Sequence, residues 1–156
     1  MDEFQETPKE SLRINQIASI DEVKEAINYF NMVFTPTLSQ RFSDLDKYSE
    51  KIFQYANICV VKENKRYKGL SVLYANNTET KMAYLPLMGV IPQSQNKGIG
   101  RLLISECINI SKRKGMENLK LEVFLSNIKA INFYKNAGFN FLEKASSESI
   151  YMLRKL

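Results

Sequence analysis

Three short apolar runs fall within residues 58–91, and the segments joining them are too short to cross a sheet. They are Ile58-Cys59-Val60-Val61, then KGLSVLYA over 68–75, then residues 82–91. Glu63-Asn64-Lys65-Arg66 is a turn signal between the first two, and Asn76-Asn77 opens the turn before the third. A parallel neighbour needs a crossover of about a dozen residues or more, so these runs must pair antiparallel, as a meander. Pro86 lies inside the third run. It has no N–H to give a ladder, so a bulge or an interrupted pairing is expected there.

After Ile91 the hydrophobic period changes. Ile99, Leu102, Leu103, Cys107 and Ile110 recur at helical spacing, and Lys112-Arg113-Lys114-Gly115 supplies a basic last turn with a glycine stop. Leu119, Leu121, Val123 and Leu125 alternate as a strand. Ala130, Ile131, Phe133, Tyr134 and Ala137 mark a second helix stopped by Gly138, and strands over 139–142 and 150–153 close the chain. Upstream, Leu12, Ile14 and Ile17 suggest a first strand. Asp21 reads as the N-cap of a helix carrying Val23, Ala26, Ile27, Phe30 and Phe34, which Thr35-Pro36-Thr37 breaks. Leu45, Tyr48, Ile52, Phe53 and Ala56 give another helix, and the irregular, aromatic-rich region 31–56 suits a cover over a substrate. The expectation is an α/β (α+β mixed) chain: a polar lead-in over 1–10, then one domain over 11–156 with a mixed, mostly antiparallel sheet and helices on its faces.

Composition removes whole classes of function. At 156 residues, 44% hydrophobic and 25% charged, the chain can bury an ordinary core without metal or disulfides. Its longest nearly apolar stretch, 82–92, falls short of the ~18 residues that span a bilayer, and MDEFQETPKE has no signal-peptide core. A cytoplasmic protein with no membrane partner is expected. There is no histidine, which removes Ser-His-Asp and Cys-His catalysis and nearly all familiar zinc sites. No metal is expected, and Cys59 and Cys107 read as buried reduced thiols. The net charge of +5 is mild and scattered apart from Lys112-Arg113-Lys114, so nucleic acid is not an expected partner.

The most informative stretch is Gln93-Ser94-Gln95-Asn96-Lys97-Gly98-Ile99-Gly100, between a strand and a helix. Glycines at such a junction let backbone approach a ligand, and the first-turn amides with the helix dipole form an anion site suited to phosphate or pyrophosphate. On glycines alone, a tight turn explains Gly98 and Gly100 as well.

The surroundings add to that. Gln95-x-x-Gly98-x-Gly100 resembles the Q/R-x-x-G-x-G/A signature of the GNAT superfamily of acyl-CoA-dependent N-acetyltransferases. The resemblance runs through Met88-Gly89-Val90, Leu121-Glu122-Val123, Asn127, Ala130-Ile131, Tyr134 and Gly138-Phe139, about residues 82–142. It implies acetyl-CoA as cosubstrate and a sheet splayed between its fourth and fifth strands, which admits the pantetheine arm. It implies that backbone around Met88 and Val90 pairs with pantetheine. The amides of Asn96, Lys97, Gly98, Ile99, Gly100 and Arg101, after Gln95, cradle the pyrophosphate. Asn127 would touch pantetheine or simply cap the helix that follows. Tyr134, seven residues on, faces the same cleft, and at this place in the family a tyrosine can protonate the leaving thiolate; the plain alternative is a core aromatic.

An ammonium substrate must also lose a proton. Glu122 alternates away from Leu121 and Val123 and precedes Tyr134 by twelve residues, a spacing that resembles the Glu-Val of relatives acetylating a ribosomal-protein N-terminus. The plain alternative is an exposed strand carboxylate; Tyr74, Tyr84 and Glu79 are weaker choices. Lys97, Arg101 and Lys129 could meet coenzyme phosphates. The resulting expectation is acetyl transfer to a small polar amine, such as an amino sugar, with a second copy of the chain as a further partner. A protein N-terminus or lysine is the alternative acceptor. A dinucleotide-binding unit fits poorly because Leu103 takes its third glycine position. A non-catalytic acyl-CoA-binding module keeps the fold, and acetyl-CoA turnover would separate it.

Overall fold

The structure, a computed structural model, describes residues 12–156. The expected lead-in over 1–10 lies outside the described residues. The chain runs β1 (Arg13–Gln16), α1 (Ile20–Phe30), α2 (Leu38–Arg41), α3 (Leu45–Tyr55), β2 (Asn57–Glu63), β3 (Arg66–Tyr74) and β4 (Met82–Val90). It continues α4 (Ile99–Arg113), β5 (Asn118–Phe124), α5 (Ile128–Asn136), β6 (Asn140–Lys144) and β7 (Ser149–Lys155). Single 3₁₀ turns follow α1 (Asn31–Val33) and β4 (Pro92–Ser94). The strands form one seven-stranded sheet in the order β1-β2-β3-β4-β5-β7-β6. Every pairing is antiparallel except β4 with β5, the pair that the α4 crossover joins.

Two details of α1 differ from expectation. Ser19, not Asp21, is the N-cap: its hydroxyl accepts the Glu22 N–H at 3.1 Å, while Asp21 sits in the first turn, where its charge suits the helix dipole. The helix also ends at Phe30, so Phe34 is not on it. Phe34 is extended, beyond the 3₁₀ turn, and is free to pack elsewhere.

The sheet has a core on each face. One cluster, beneath α4 and α5, includes Leu103, Cys107, Leu119, Leu121 and Phe139; the other, beneath α1 and α3, includes Phe30, Ile52, Val60 and Val72. Strand β4 changes allegiance between them. Leu85 belongs to the first cluster and Leu87 to the second, although residues two apart on a regular strand share a face. The register accounts for this: Val72 pairs with Leu87 but Tyr74 pairs with Tyr84, so β4 spends one residue more than β3. Pro86 lies in that interval, and the bulge expected of it is present.

The second consequence concerns β5. Parallel pairing runs from Met82↔Asn118 to Leu85↔Leu121 and stops, while β4 continues to Val90 and β5 to Phe124. Beyond the bulge the two strands diverge, and the sheet opens in its middle.

Candidate functional site

The opening is a cleft of about 740 Å³, walled by the far end of β4, the loop before α4, the end of β5, α5 and the segment after α1. Its β4 wall is backbone. The Ile91 N–H donates to the Lys68 carbonyl at 2.9 Å, which fixes the alternation of the β3–β4 ladder. Counting back, Gly89 faces β3 while Met88 and Val90 turn their N–H and C=O groups into the gap left by β5. The Gln95 side-chain amide donates to one of these, the Val90 carbonyl, at 3.3 Å, and Lys129 of α5 donates to the Gln95 Oε1 at 3.4 Å.

The end wall is the start of α4. Asn96 and Gly98 both have positive φ, 63° and 85°, which turns the chain sharply into the helix. Gly98 is the N-cap in a left-handed conformation with no side-chain cap. The first-turn amides of Ile99, Gly100 and Arg101 are therefore left without a cap acceptor, at the positive end of a 15-residue helix. A Cβ on Gly98 would meet nothing within 4 Å, so φ is what requires glycine there; at Gly100 it would lie 3.2 Å from the Phe133 ring of α5. Two glycines that look alike in sequence thus answer to different constraints.

The side walls carry the titratable groups. Asn127 caps α5, its Oδ1 accepting the Ala130 N–H at 3.1 Å, which leaves its Nδ2 donors available to the cleft that it lines. Tyr134, two turns on, lines the same cleft, held edge-on between Phe133 and Phe139 at ring distances of 5.2 and 5.6 Å. Burial, with the neighbouring Cys107 thiol, pushes its hydroxyl above the usual tyrosine range, so it stays protonated at neutral pH. Glu122 is exposed at the cleft, and its Oε1 accepts a 2.6 Å hydrogen bond from the buried Ser149 hydroxyl of β7. Burial, then Glu122 and Tyr151, push Tyr84 up to about 12.

Most of the expected site converges. Met88, Val90, Gln95, Asn96, Gly98, Gly100, Arg101, Glu122, Asn127, Lys129 and Tyr134 all line the cleft. Lys97 does not, and the Ile99 side chain points into the core, so that residue offers only its amide. Tyr74, Tyr84 and Glu79, the weaker choices of base, are not in the lining. Among the described residues, no group of three or more His, Cys, Asp or Glu side chains could hold a metal.

Sequence reasoning missed Ser149, and it expected a cover over 31–56 without naming the residues that wall the cleft. Val33, Phe34, Thr35 and Arg41 line the cleft from the segment after α1. Gly89 makes this contact, since a Cβ there would fall 2.9 Å from the Phe34 ring. Arg41 sits over Phe34 at 5.6 Å, its Nε donating to the Pro36 carbonyl at 2.9 Å and its Nη2 to the Thr35 carbonyl at 3.2 Å. Burial lowers the Arg41 pKa, opposed by Tyr48 and by the Glu122 carboxylate. No periodicity in region 31–56 could have marked Arg41. Ser149 was legible only through register, two residues from Tyr151, which pairs with Glu122.

Known proteins share this fold. The family model described as "Acetyltransferase (GNAT) family" matches residues 24–139. The chain is 40% identical over 53 residues, 34% of its length, to the [ribosomal protein bS18]-alanine N-acetyltransferase of Escherichia coli (strain K12). It is 33% identical over 64 residues, 40% of its length, to N-alpha-acetyltransferase 50 of Danio rerio. These matches span 36% and 38% of those relatives' own lengths. The PaiA N-acetyltransferase from Thermoplasma acidophilum, solved in complex with coenzyme A, superposes with a TM-score of 0.74 at 20% identity, covering 94% of this chain and 99% of that one; at such identity the likeness is one of fold. With a family model over most of its length, the chain belongs to the acetyltransferase (GNAT) family.

Proposed function

We propose that the chain transfers an acetyl group from acetyl-CoA to the primary amine of a small polar metabolite, an amino sugar or similar, by direct nucleophilic attack. The observation that carries this reading is the opening in the sheet. An unpaired β4 edge leads to an uncapped helix N-terminus, with a protonated tyrosine and a carboxylate on the walls between. The fit to the cosubstrate is chemical: free amides and a helix dipole for pyrophosphate, strand donors and acceptors at Met88 and Val90 for the amides of pantetheine. Arg101 and Lys129 add positive charge beside them.

Acetyl-CoA supplies the thioester carbonyl that an amine nitrogen attacks. Glu122 takes the proton that the ammonium must lose, directly or through water, and Ser149 holds its carboxylate. Tyr134 gives its hydroxyl proton to sulfur as the carbon–sulfur bond breaks, and its burial keeps that proton in place until then. The Asn127 Nδ2 donates to the arm.

The cover favours a small acceptor, because Phe34 lies against Gly89 and narrows the acceptor side of the cleft. A second reading has its own support: of the two curated relatives, one is by name an N-alpha-acetyltransferase and the other a ribosomal-protein-alanine N-acetyltransferase. Coenzyme A release, measured over a panel of small amines and peptide N-termini after an acetyl-CoA titration, separates them. Faster turnover of small amines is expected. Peptides preferred throughout would favour the second reading, and binding without turnover would favour a non-catalytic module.

A further inference from the structure

Arg41 and Glu122 meet the cleft from opposite sides, one from the cover and one from the sheet, and among the described residues neither is in an ion pair. The ion pairs among the described residues are Lys24–Glu50, Lys62–Glu22, Lys81–Glu117 and Arg113–Glu106, none of them in the cleft. Glu122 is held by Ser149 and stays more than a salt-bridge length from Arg41. Arg41 is held as firmly. Two of its five N–H groups are spent on the Thr35 and Pro36 carbonyls, and its plane rests over Phe34, which is itself seated on Gly89. Among the described residues, the other three donors of its fixed fork have no protein acceptor, and they sit on the wall opposite the base. A long surface arginine loses side-chain entropy when it is pinned, and at this exposed site its free donors are met by water, which an anionic ligand can displace.

The geometry points to Arg41 as the residue that reads an anionic group on the acceptor: the amine acetylated here also carries a carboxylate or a phosphate, placed toward the cover while its nitrogen lies toward Glu122. This inference rests on the acetyltransferase reading and narrows its acceptor. The planar fork suits bidentate contact with either anion, and Phe34 beneath it keeps water off one face. Arg41 acts on specificity, not on the reacting atoms.

The test uses matched pairs that differ only in the anion: an amino acid against its carboxamide, and a phosphorylated amino sugar against the unphosphorylated sugar. In the native enzyme the charged member of at least one pair should show kcat/KM about 10–100-fold above its neutral twin, the usual worth of a charge-assisted contact, with the difference mostly in KM. The pair with the larger ratio identifies the anion. Arg41→Met should bring that ratio near unity and leave acetyl-CoA affinity unchanged, and Arg41→Lys should restore part of it. Calorimetric titration of the same pairs reads the contact without turnover. Tighter binding of the charged twin, lost in Arg41→Met, supports the inference even if no acetyl group moves, a result that would fell the transferase reading alone. Equal binding and equal turnover of the twins, or a preference that survives Arg41→Met, overturns the inference while acetyl transfer stands.

Discussion

The two sides of the cleft are built on different principles. The donor side is backbone and regular structure: a bulged strand edge at Met88 and Val90, a glycine-capped helix at Gly98, and a helix whose cap, Asn127, and inner face, Tyr134, share one cleft. The acceptor side is side chains on an irregular path, Phe34 and Arg41 after a 3₁₀ turn, held by carbonyl contacts and one glycine opposite. A site made of backbone needs glycine, positive φ and caps at fixed places, and it imposes a pattern on the sequence. A site made of side chains needs only that the chain arrive there. One fold can therefore keep its donor chemistry while its acceptor wall varies.

The sharpest way to break this division is to change a side chain on the donor side. Tyr134→Phe removes one oxygen and keeps the ring between Phe133 and Phe139, so acetyl-CoA affinity should hold while kcat falls about 10²–10⁴-fold. Steady-state kinetics beside a coenzyme titration would show it. Near-normal kcat would return Tyr134 to the core. Glu122→Gln should lower kcat/KM; an unchanged kcat/KM would point to another base, or to none.

The glycine pair sharpens the comparison at lower cost to the rate. Gly98→Val places a β-branched residue at φ +85°, where left-handed backbone costs a non-glycine residue about 1–2 kcal/mol, so the loop should relax and coenzyme affinity fall about 10-fold or more. Gly100→Ala sets a methyl against a half-buried Phe133 ring that can yield by a few tenths of an ångström, and the loss of affinity should be smaller. Equal effects in binding titrations would mean that space, not backbone conformation, governs the loop.

How much could be read from the sequence follows the same line. The meander, the Pro86 bulge and the element order were legible because turn lengths, a missing donor and a change of period each have one structural outcome. The residues alone offered a glycine-bearing strand-to-helix junction, and it was the resemblance to the family that implied Met88, Gly98, Asn127 and Tyr134 around one cleft. The end of α1 was not: Phe34 continues the helical spacing of Phe30, yet the chain turns at Asn31, and only the void above Gly89 says why that ring belongs on the sheet. Arg41 stayed hidden because its partners, the Thr35 and Pro36 carbonyls, are backbone and leave no side-chain pattern, and Ser149 because its partner Glu122 lies 27 residues away.

The smallest expected effect separates the two cores beneath these walls. The donor-side core buries both thiols, and burial raises Cys59 to about 11 and Cys107 to about 12 from an ordinary value of 9.0. Between about pH 9 and 12 the unfolded chain therefore gives up thiol protons that the native chain keeps, so native stability is full below that window and falls as pH rises through it. Thermal midpoints should drop by several degrees from pH 8 to about 11. Alanine at both positions should lower the midpoint at pH 8, because it leaves small voids, but should flatten the alkaline decline. The cover-side core holds a competitor, Tyr48, whose hydroxyl burial also pushes above the usual range. If the decline keeps its slope without the thiols, the loss at high pH lies in buried tyrosines, Tyr48 on the cover side and Tyr134 on the donor side.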